Sequence, residues 1–364
     1  MATLFAFILF LHGALHLLGF THAVGIGAMA QLDRHISKPM GMLWFIAAIL
    51  FVSTSISLLI DVDQWWILAL ISVLFSQLLI VFHWKDAGFG TITNLLIFIP
   101  SLFTFGNDHF ENGYQADIAQ YVTQSNPTIQ VDSIKETDLA KLPELVQAYL
   151  RYAGVVNKPK VKNMHVVFEG QMRSKGHDYF SFTSDQYNFF DEPIRLFFMK
   201  ADLFGVTVSG YHRYVNSNAA MDIRLVGLFT IDHHAEGVLN KTETVTFFND
   251  MCLLAPGTLI DDRIQWQEID DETVAATFTT NGIAVSAVLQ FNEKGQLINF
   301  SSDDRTDVAD MKTYPFSTPV NEYQTVHNQH VLSKGEAIWH YPEGAFTYGQ
   351  FLLKDIEFNI SRSE

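Results

Sequence analysis

Residues 1–105 carry only seven charged side chains, and that scarcity fixes what the front of the chain can be. They are Asp33, Arg34, Lys38, Asp61, Asp63, Lys85 and Asp86. Four apolar stretches occupy the rest of this region: Leu4 to about Met29, Met40–Ile60, Trp65–Phe82 and roughly Ala87–Phe105. A membrane-crossing helix needs about 20 mostly apolar residues. The second stretch meets this cleanly, and the third and fourth are at the short end. A cleaved signal peptide would account for the first alone. That stretch starts Met-Ala-Thr-Leu-Phe, without the basic residues of a signal peptide. The pattern predicts a bundle of four transmembrane helices over 1–105 and no signal peptide.

Loop charges set the expected orientation, because basic residues favour the cytoplasmic side. Arg34 and Lys38 follow the first stretch, Asp61 and Asp63 the second, and Lys85 the third. The alternation puts both termini and all of 106–364 outside the cytoplasm, in a multi-pass protein of the inner (cytoplasmic) membrane. Trp44, Trp65, Trp66 and Trp84 lie near the ends of the stretches, as interfacial anchors do.

Polar groups inside the spans need a reason. His12 and His16 are four residues apart on one helix face, and Gln77 and Asn94 lie in later spans. Two imidazoles at that spacing suit a shared metal or a haem ligand. The first helix has no cysteine or carboxylate to complete such a set. His12, His16 and Asn94 are therefore read as interhelical hydrogen-bonding groups. No metal and no cofactor are expected.

Beyond residue 105 the chain has 20 Lys/Arg and 35 Asp/Glu, a balance near −15. An acidic domain without a basic face is not a nucleic-acid binder. Residues 106–135 read as a polar linker, and 136–364 as an extracytoplasmic domain. Thr137 opens a helical pattern through Leu139, Leu142, Leu145, Val146, Tyr149 and Leu150, stopped by Gly154, with Pro143 limiting how early the helix starts. From Lys160 the period changes to two. About twelve short strands follow, with Asn281-Gly282 and Lys294-Gly295 as tight hairpin signals. An amphipathic helical stretch, Lys241–Leu254, interrupts them and stops at Ala255-Pro256-Gly257. The expected class is α+β: a large antiparallel sheet curled into an open β-barrel, with a leading helix and an inserted helix.

Many aromatic residues fall in these strands and in the inserted helix. They suit either a thick core or an apolar cavity. Candidate cavity residues are Phe182, Phe198, Phe229, Phe248 and Trp266, with Glu243, Asp250 and Arg305 as polar groups. Glu243 and Asp250 are seven apart and share a helix face. No nucleophile elbow, zinc-protease helix or phosphate-cradling loop occurs. Asp303-Asp304-Arg305 lacks the glycine and glutamate of a standard calcium loop. Cys252 is the sole cysteine, which excludes an intrachain disulfide, and on an apolar helix it reads as packing.

Certain motifs resemble a bacterial family known only as a domain of unknown function. They are Leu142-Pro143-Glu144-Leu145-Val146 with Tyr149-Leu150-Arg151, Phe168-Glu169-Gly170-Gln171-Met172-Arg173, and Phe247-Phe248-Asn249-Asp250 with Ala255-Pro256. Trp266, Asp304-Arg305, and Trp339 with Pro342-Glu343-Gly344 add to them. Some members look similar in front as well, at His12-Gly13, His16-Leu17, Gly19-Phe20 and Trp84-Lys85-Asp86-Ala87. The resemblance implies no activity and no catalytic residues. In architecture the outer part looks like the LolA/LolB superfamily, which implies an extracytoplasmic sheet that holds acyl chains. The expected function is a membrane-tethered binding module for a lipid, acyl chain or lipoprotein, with membrane lipid as its partner. A membrane-surface enzyme using Glu243, Asp250 and Arg305 is the alternative, and a scaffold or sensor the third.

Overall fold

The structure, a computed structural model, describes residues 2–26, 36–125 and 132–361. Arg34 and residues 27–29 of the first apolar stretch lie outside the described residues, as do 126–131 of the expected linker. The chain divides into two compact units, Met1–His109 and Phe110–Glu364.

The first unit contains α1 (Ala2–Val24), α2 (Lys38–Leu59), α3 (Trp65–Phe82) and the single turn α4 (Trp84–Ala87). Helices α1, α2 and α3 are long and apolar enough to cross a membrane. Gly13 and Gly19 bring α1 close to α2: a Cβ at Gly19 would stand 2.7 Å from the Trp44 ring. The fourth predicted span falls on α4 and the start of α5 (Gly90–Ser125).

Helix α5 does not stop where the expected linker begins. It runs through 106–125, and its second half belongs to the second unit. The reason is a helical apolar row, Phe110, Tyr114, Ile118, Tyr121 and Val122. That row is buried against Phe189, Ile194, Leu196, Phe198 and Val215. The segment is polar on its other faces, which made it look like a connector.

Pro143 splits the predicted leading helix into a 3-10 turn, Glu136–Lys141, and α6 (Glu144–Tyr152). Strands follow: β1 (Asn163–Met172), β2 (Phe180–Phe189), β3 (Ile194–Leu203), β4 (Val206–Val215), β5 (Asn218–Leu225) and β6 (Phe229–Ala235). Helix α7 (Val238–Leu253) and a 3-10 turn at Pro256–Leu259 come next. The last strands are β7 (Ile264–Glu268), β8 (Thr273–Thr280), β9 (Ile283–Phe291), β10 (Leu297–Ser302), the short β11 (Thr306–Asp307) and β12 (Lys312–Thr313), β13 (Phe316–Val326), β14 (Gln329–Tyr341) and β15 (Gly344–Phe358). Asn281 and Gly282 both have positive φ, the backbone that a two-residue hairpin requires.

Thirteen strands form one antiparallel sheet in the order β6-β5-β4-β3-β2-β1-β15-β14-β13-β10-β9-β8-β7. The chain enters at the centre, walks out to β6, crosses over through α7 and returns from β7 to lie beside β1. The expectation of a curled barrel is corrected: β6 and β7 do not pair, and the sheet is neither closed nor strongly curled. Helix α7 does the joining instead. It touches β5 and β6 in one half and β9 and β10 in the other, and also the separate short strand β11.

Helix α7 is also not amphipathic. Twelve of its residues are buried, including Glu243, Asn249 and Asp250. A helix buried over most of its surface must find partners for its polar groups in the surrounding sheet. Its apolar groups fill the interior: Phe247 and Phe248 are fully buried, and Phe248 stacks on Phe278 with centroids 5.3 Å apart. Each such side chain contributes about 1.5–3 kcal/mol by leaving water. The aromatic residues around α7 therefore pack mainly against one another.

Candidate functional site

The register sorts the candidate residues by face. Phe182 pairs with Ala201, Gln186 with Phe197 and Asn188 with Arg195. Side chains at alternate positions share a face. So Phe182, Ser184, Gln186 and Asn188 of β2 share the α7 side with Arg195 and Phe197 of β3. Phe198 points the opposite way and stacks on Tyr114 of α5, with centroids 5.2 Å apart. Phe229, on the edge strand β6, is 59 % exposed. Neither lines a cavity under α7, and both expectations are corrected. Phe248 lies within the packed core, and Trp266 is half-buried at its margin. Phe182 packs edge-on against Phe351, over Gly170.

Glu243 and Asp250 do share a face of α7, as their spacing predicts, and Arg195 joins them. Arg195 Nε donates to Asp250 Oδ2 at 2.8 Å and Nη1 donates to Glu243 Oε2 at 3.4 Å. Its Nη2 donates to Gln186 Oε1 at 3.1 Å. Gln186 and Asn188 each donate a further bond to Asp250 Oδ2, at 2.8 and 3.0 Å. His212 Nδ1 stands 3.9 Å from Glu243 Oε1. Burial alone would raise the Glu243 carboxyl, but the neighbouring His212 and the charge of Arg195 hold it at about 2. Burial prevails at Asp250 and raises its carboxyl above the ordinary range, against the pull of Arg195 and Asn188.

Arg305 stands across a cavity from this cluster. Its guanidinium lies 4.0 Å from the Phe316 ring centroid and 5.1 Å from that of Trp339. Nη1 donates to Tyr348 OH at 2.9 Å. The cavity, about 120 Å³, is lined by Arg195, Asp250, Arg305, Asn249, Thr246 and Tyr348 among others. The structure thus brings Asp250 and Arg305 together at one cavity, with Glu243 behind them.

Arg195, Gln186 and Asn188 were not among the sequence candidates. Their signal was available: the inward row of β2 runs Phe182, Ser184, Gln186, Asn188, turning polar where burial predicts apolar residues. A polar run on a buried face implies a buried partner.

In the first unit, His12 Nε2 donates to Asn94 Oδ1 at 2.9 Å. Asn94 Nδ2 donates to Ser76 Oγ at 3.1 Å and Gln77 Oε1 at 2.9 Å. His16 Nδ1 donates to the His12 carbonyl at 2.8 Å, and Nε2 lies 2.8 Å from Ser76 Oγ. These bonds tie α1, α3 and α5 together. Beside them is a cavity of about 430 Å³ that His83 and Asp86 also line. Among the described residues, no three His, Cys, Asp or Glu side chains converge to hold a metal.

The profile of one protein family matches residues 132–351, from before α6 through α7 to the middle of β15. The chain belongs to DUF6544, a family of unknown function. The DUF6544 segment contains the whole Arg195–Glu243–Asp250–Arg305 arrangement. No curated protein matches the chain. Among solved structures, a LolA superfamily protein from Nitrosomonas europaea matches at 9 % identity and a TM-score of 0.32. The match covers 58 % of this chain and 93 % of that one.

Proposed function

We propose that this protein is a membrane-anchored binding module whose DUF6544 domain holds a lipid-like ligand by its polar head, in the cavity between α7 and the sheet. The observation that carries this reading is the convergence of two arginines and a buried carboxyl on one cavity in an otherwise packed interior. Convergent polar groups in a shaped cavity are what fix a small ligand. At about 120 Å³ the cavity has room for a head group but not for a long acyl chain. The binding reading is thereby narrowed to the head. A membrane anchor keeps the domain where lipids and lipoproteins are the abundant ligands.

The anchor, in this reading, is α1, α2, α3 and the apolar start of α5 as a fourth crossing. The basic loops at Lys38 and Lys85 face the cytoplasm and the DUF6544 domain lies outside. A C-terminal alkaline phosphatase fusion will be active, and a cytoplasm-restricted reporter silent. The reverse pattern refutes this sidedness.

Native mass spectrometry of the full-length protein, released from membranes, tests the binding. The wild-type chain will carry a bound mass that Thr246→Leu, which narrows the cavity, does not. A wild-type chain that carries nothing refutes the reading.

One observation favours a second reading, a membrane-surface enzyme. Glu243 and Asp250 are two carboxyls whose environments shift them in opposite directions, the arrangement by which a site separates a base from an acid. Hydrolysis of a bound ligand by wild type and not by Asp250→Asn would favour it; an intact ligand would exclude it.

A further inference from the structure

We infer that the cavity under α7 is an oxyanion site, in which Arg305 binds the phosphate or carboxylate group of the ligand. The inference rests on the reading that this cavity binds a ligand, and names that ligand's chemistry. The two arginines are not equivalent. Arg195 is committed, with Nε, Nη1 and Nη2 all spent on Asp250, Glu243 and Gln186. Arg305 has one bond, to Tyr348 OH, and its buried Nε has no acceptor among the described residues.

Asp304 and Asp307, on either side of Arg305, are turned elsewhere. Asp304 takes Lys241 Nζ at 2.6 Å and the Ser286 backbone N–H at 2.7 Å. Asp307 takes Tyr341 OH at 2.6 Å and the Ala309 N–H at 3.0 Å. Glu243 is close enough to feel the charge of Arg305, but its hydrogen bond is to Arg195, with His212 3.9 Å away. Phe316 and Trp339 strip water from the guanidinium without satisfying its N–H groups. A half-dehydrated arginine with spare donors suits an oxyanion that accepts two N–H bonds from its planar fork.

The opposite wall fits. All three donors to Asp250 fall on Oδ2, so Oδ1 takes none among the described residues and the carboxyl faces the cavity. Glu336 stands at the rim, where Gln350 bonds it.

The test is calorimetric titration of the full-length protein in a neutral detergent with inorganic phosphate, hexyl phosphate and hexanol. Wild type will bind hexyl phosphate. Arg305→Gln will weaken it about tenfold to a hundredfold, the worth of a hydrogen bond to a charged group. Arg305→Lys, which keeps the charge but not the fork, will fall between. Arg151→Gln, at an exposed pair with Glu136, will match wild type. Hexyl phosphate much tighter than inorganic phosphate marks a lipid head group; equal affinities mark a free oxyanion. Either source supports the site. Equal binding by Arg305→Gln, with Cys252 still protected from alkylation as a sign of folding, overturns the inference. Hexanol binding without anion binding overturns the oxyanion and leaves the cavity reading standing. Binding of none of the three overturns both.

Discussion

Replacing Arg195 by methionine tests the reasoning about the buried cluster most directly. Arg195 is 7 % exposed, and the carboxylates it joins, Glu243 and Asp250, are 5 % and 7 % exposed. Methionine fills much of the same volume but supplies none of the three N–H bonds. Two carboxylates would then face each other in a dry interior, with Gln186, Asn188 and His212 beside them and the Arg305 charge at the same cavity. Breaking a buried ion pair from one side costs about 3–5 kcal/mol, because the remaining charge is uncompensated. For a domain of this size each kcal/mol moves the midpoint by about 2–4 °C, so the expected fall is about 6–20 °C. Cys252 supplies the readout: it is the sole cysteine and lies fully buried on α7. Alkylation of Cys252 against temperature, on the full-length protein, reports when α7 leaves the sheet. Adding Glu243→Gln and Asp250→Asn to Arg195→Met removes the orphaned charges and restores several degrees. A single variant that falls by less than about 2 °C, or a triple variant no better than the single, refutes the argument.

Three other outcomes follow from the same structure. Phe248→Ala will cost about 3–5 kcal/mol by leaving a cavity in the core, and Phe229→Ala, on the exposed edge, less than about 0.5 kcal/mol; equal costs in chemical denaturation would contradict the placement of the two rings. Glu243 has a folded carboxyl held below its ordinary value, so its contribution is present above about pH 4.5 and is lost as the pH falls toward about 2. Asp250, raised on folding, contributes in the opposite sense: its share is present in acid and lost as the pH rises through its folded value. Glu243→Gln will therefore flatten the acid decline in a fluorescence-monitored unfolding series, and an unchanged slope would count against it. Asn94→Leu removes bonds that join α1, α3 and α5, and will lower the stability of the helical unit by about 1–2 kcal/mol in a detergent-unfolding assay; no change would mean that packing alone holds those helices.

Local pattern made most of the second unit legible. Strands β3 (Ile194–Leu203) and β8 (Thr273–Thr280) are legible in the sequence because turn residues bound them on both sides. The boundary between β5 and β6 is hidden in the sequence, because their turn is Val226-Gly227-Leu228, which has two apolar residues in place of a polar pair. The 106–125 segment was misread because its apolar row is spaced for a helix while its composition is that of a loop. The site was half legible. Glu243 and Asp250 carried a helical spacing that could be read within one element. Arg195 and Tyr348 reach the same cavity from different strands, and strand order is a long-range property that no window of sequence contains. The face of Phe198 turned on the same point: alternation gives two faces, but only the packing of α5 and α7 decides which is which.

The pairing of β1 with β15 has a consequence for how the domain is made. Met164 lies opposite Phe358, so the central seam of the sheet joins residues almost two hundred positions apart. Contacts of such sequence separation close slowly, because the entropy of the intervening loop is lost before the ladder forms. During synthesis β1 can pair with β2 at once, but its other edge stays open until the last strand emerges. An open strand edge beside apolar side chains invites pairing with another chain. The nascent domain thus passes through a window of aggregation risk that ends only when its final strand arrives. A premature stop before Gly344 would leave that window permanently open.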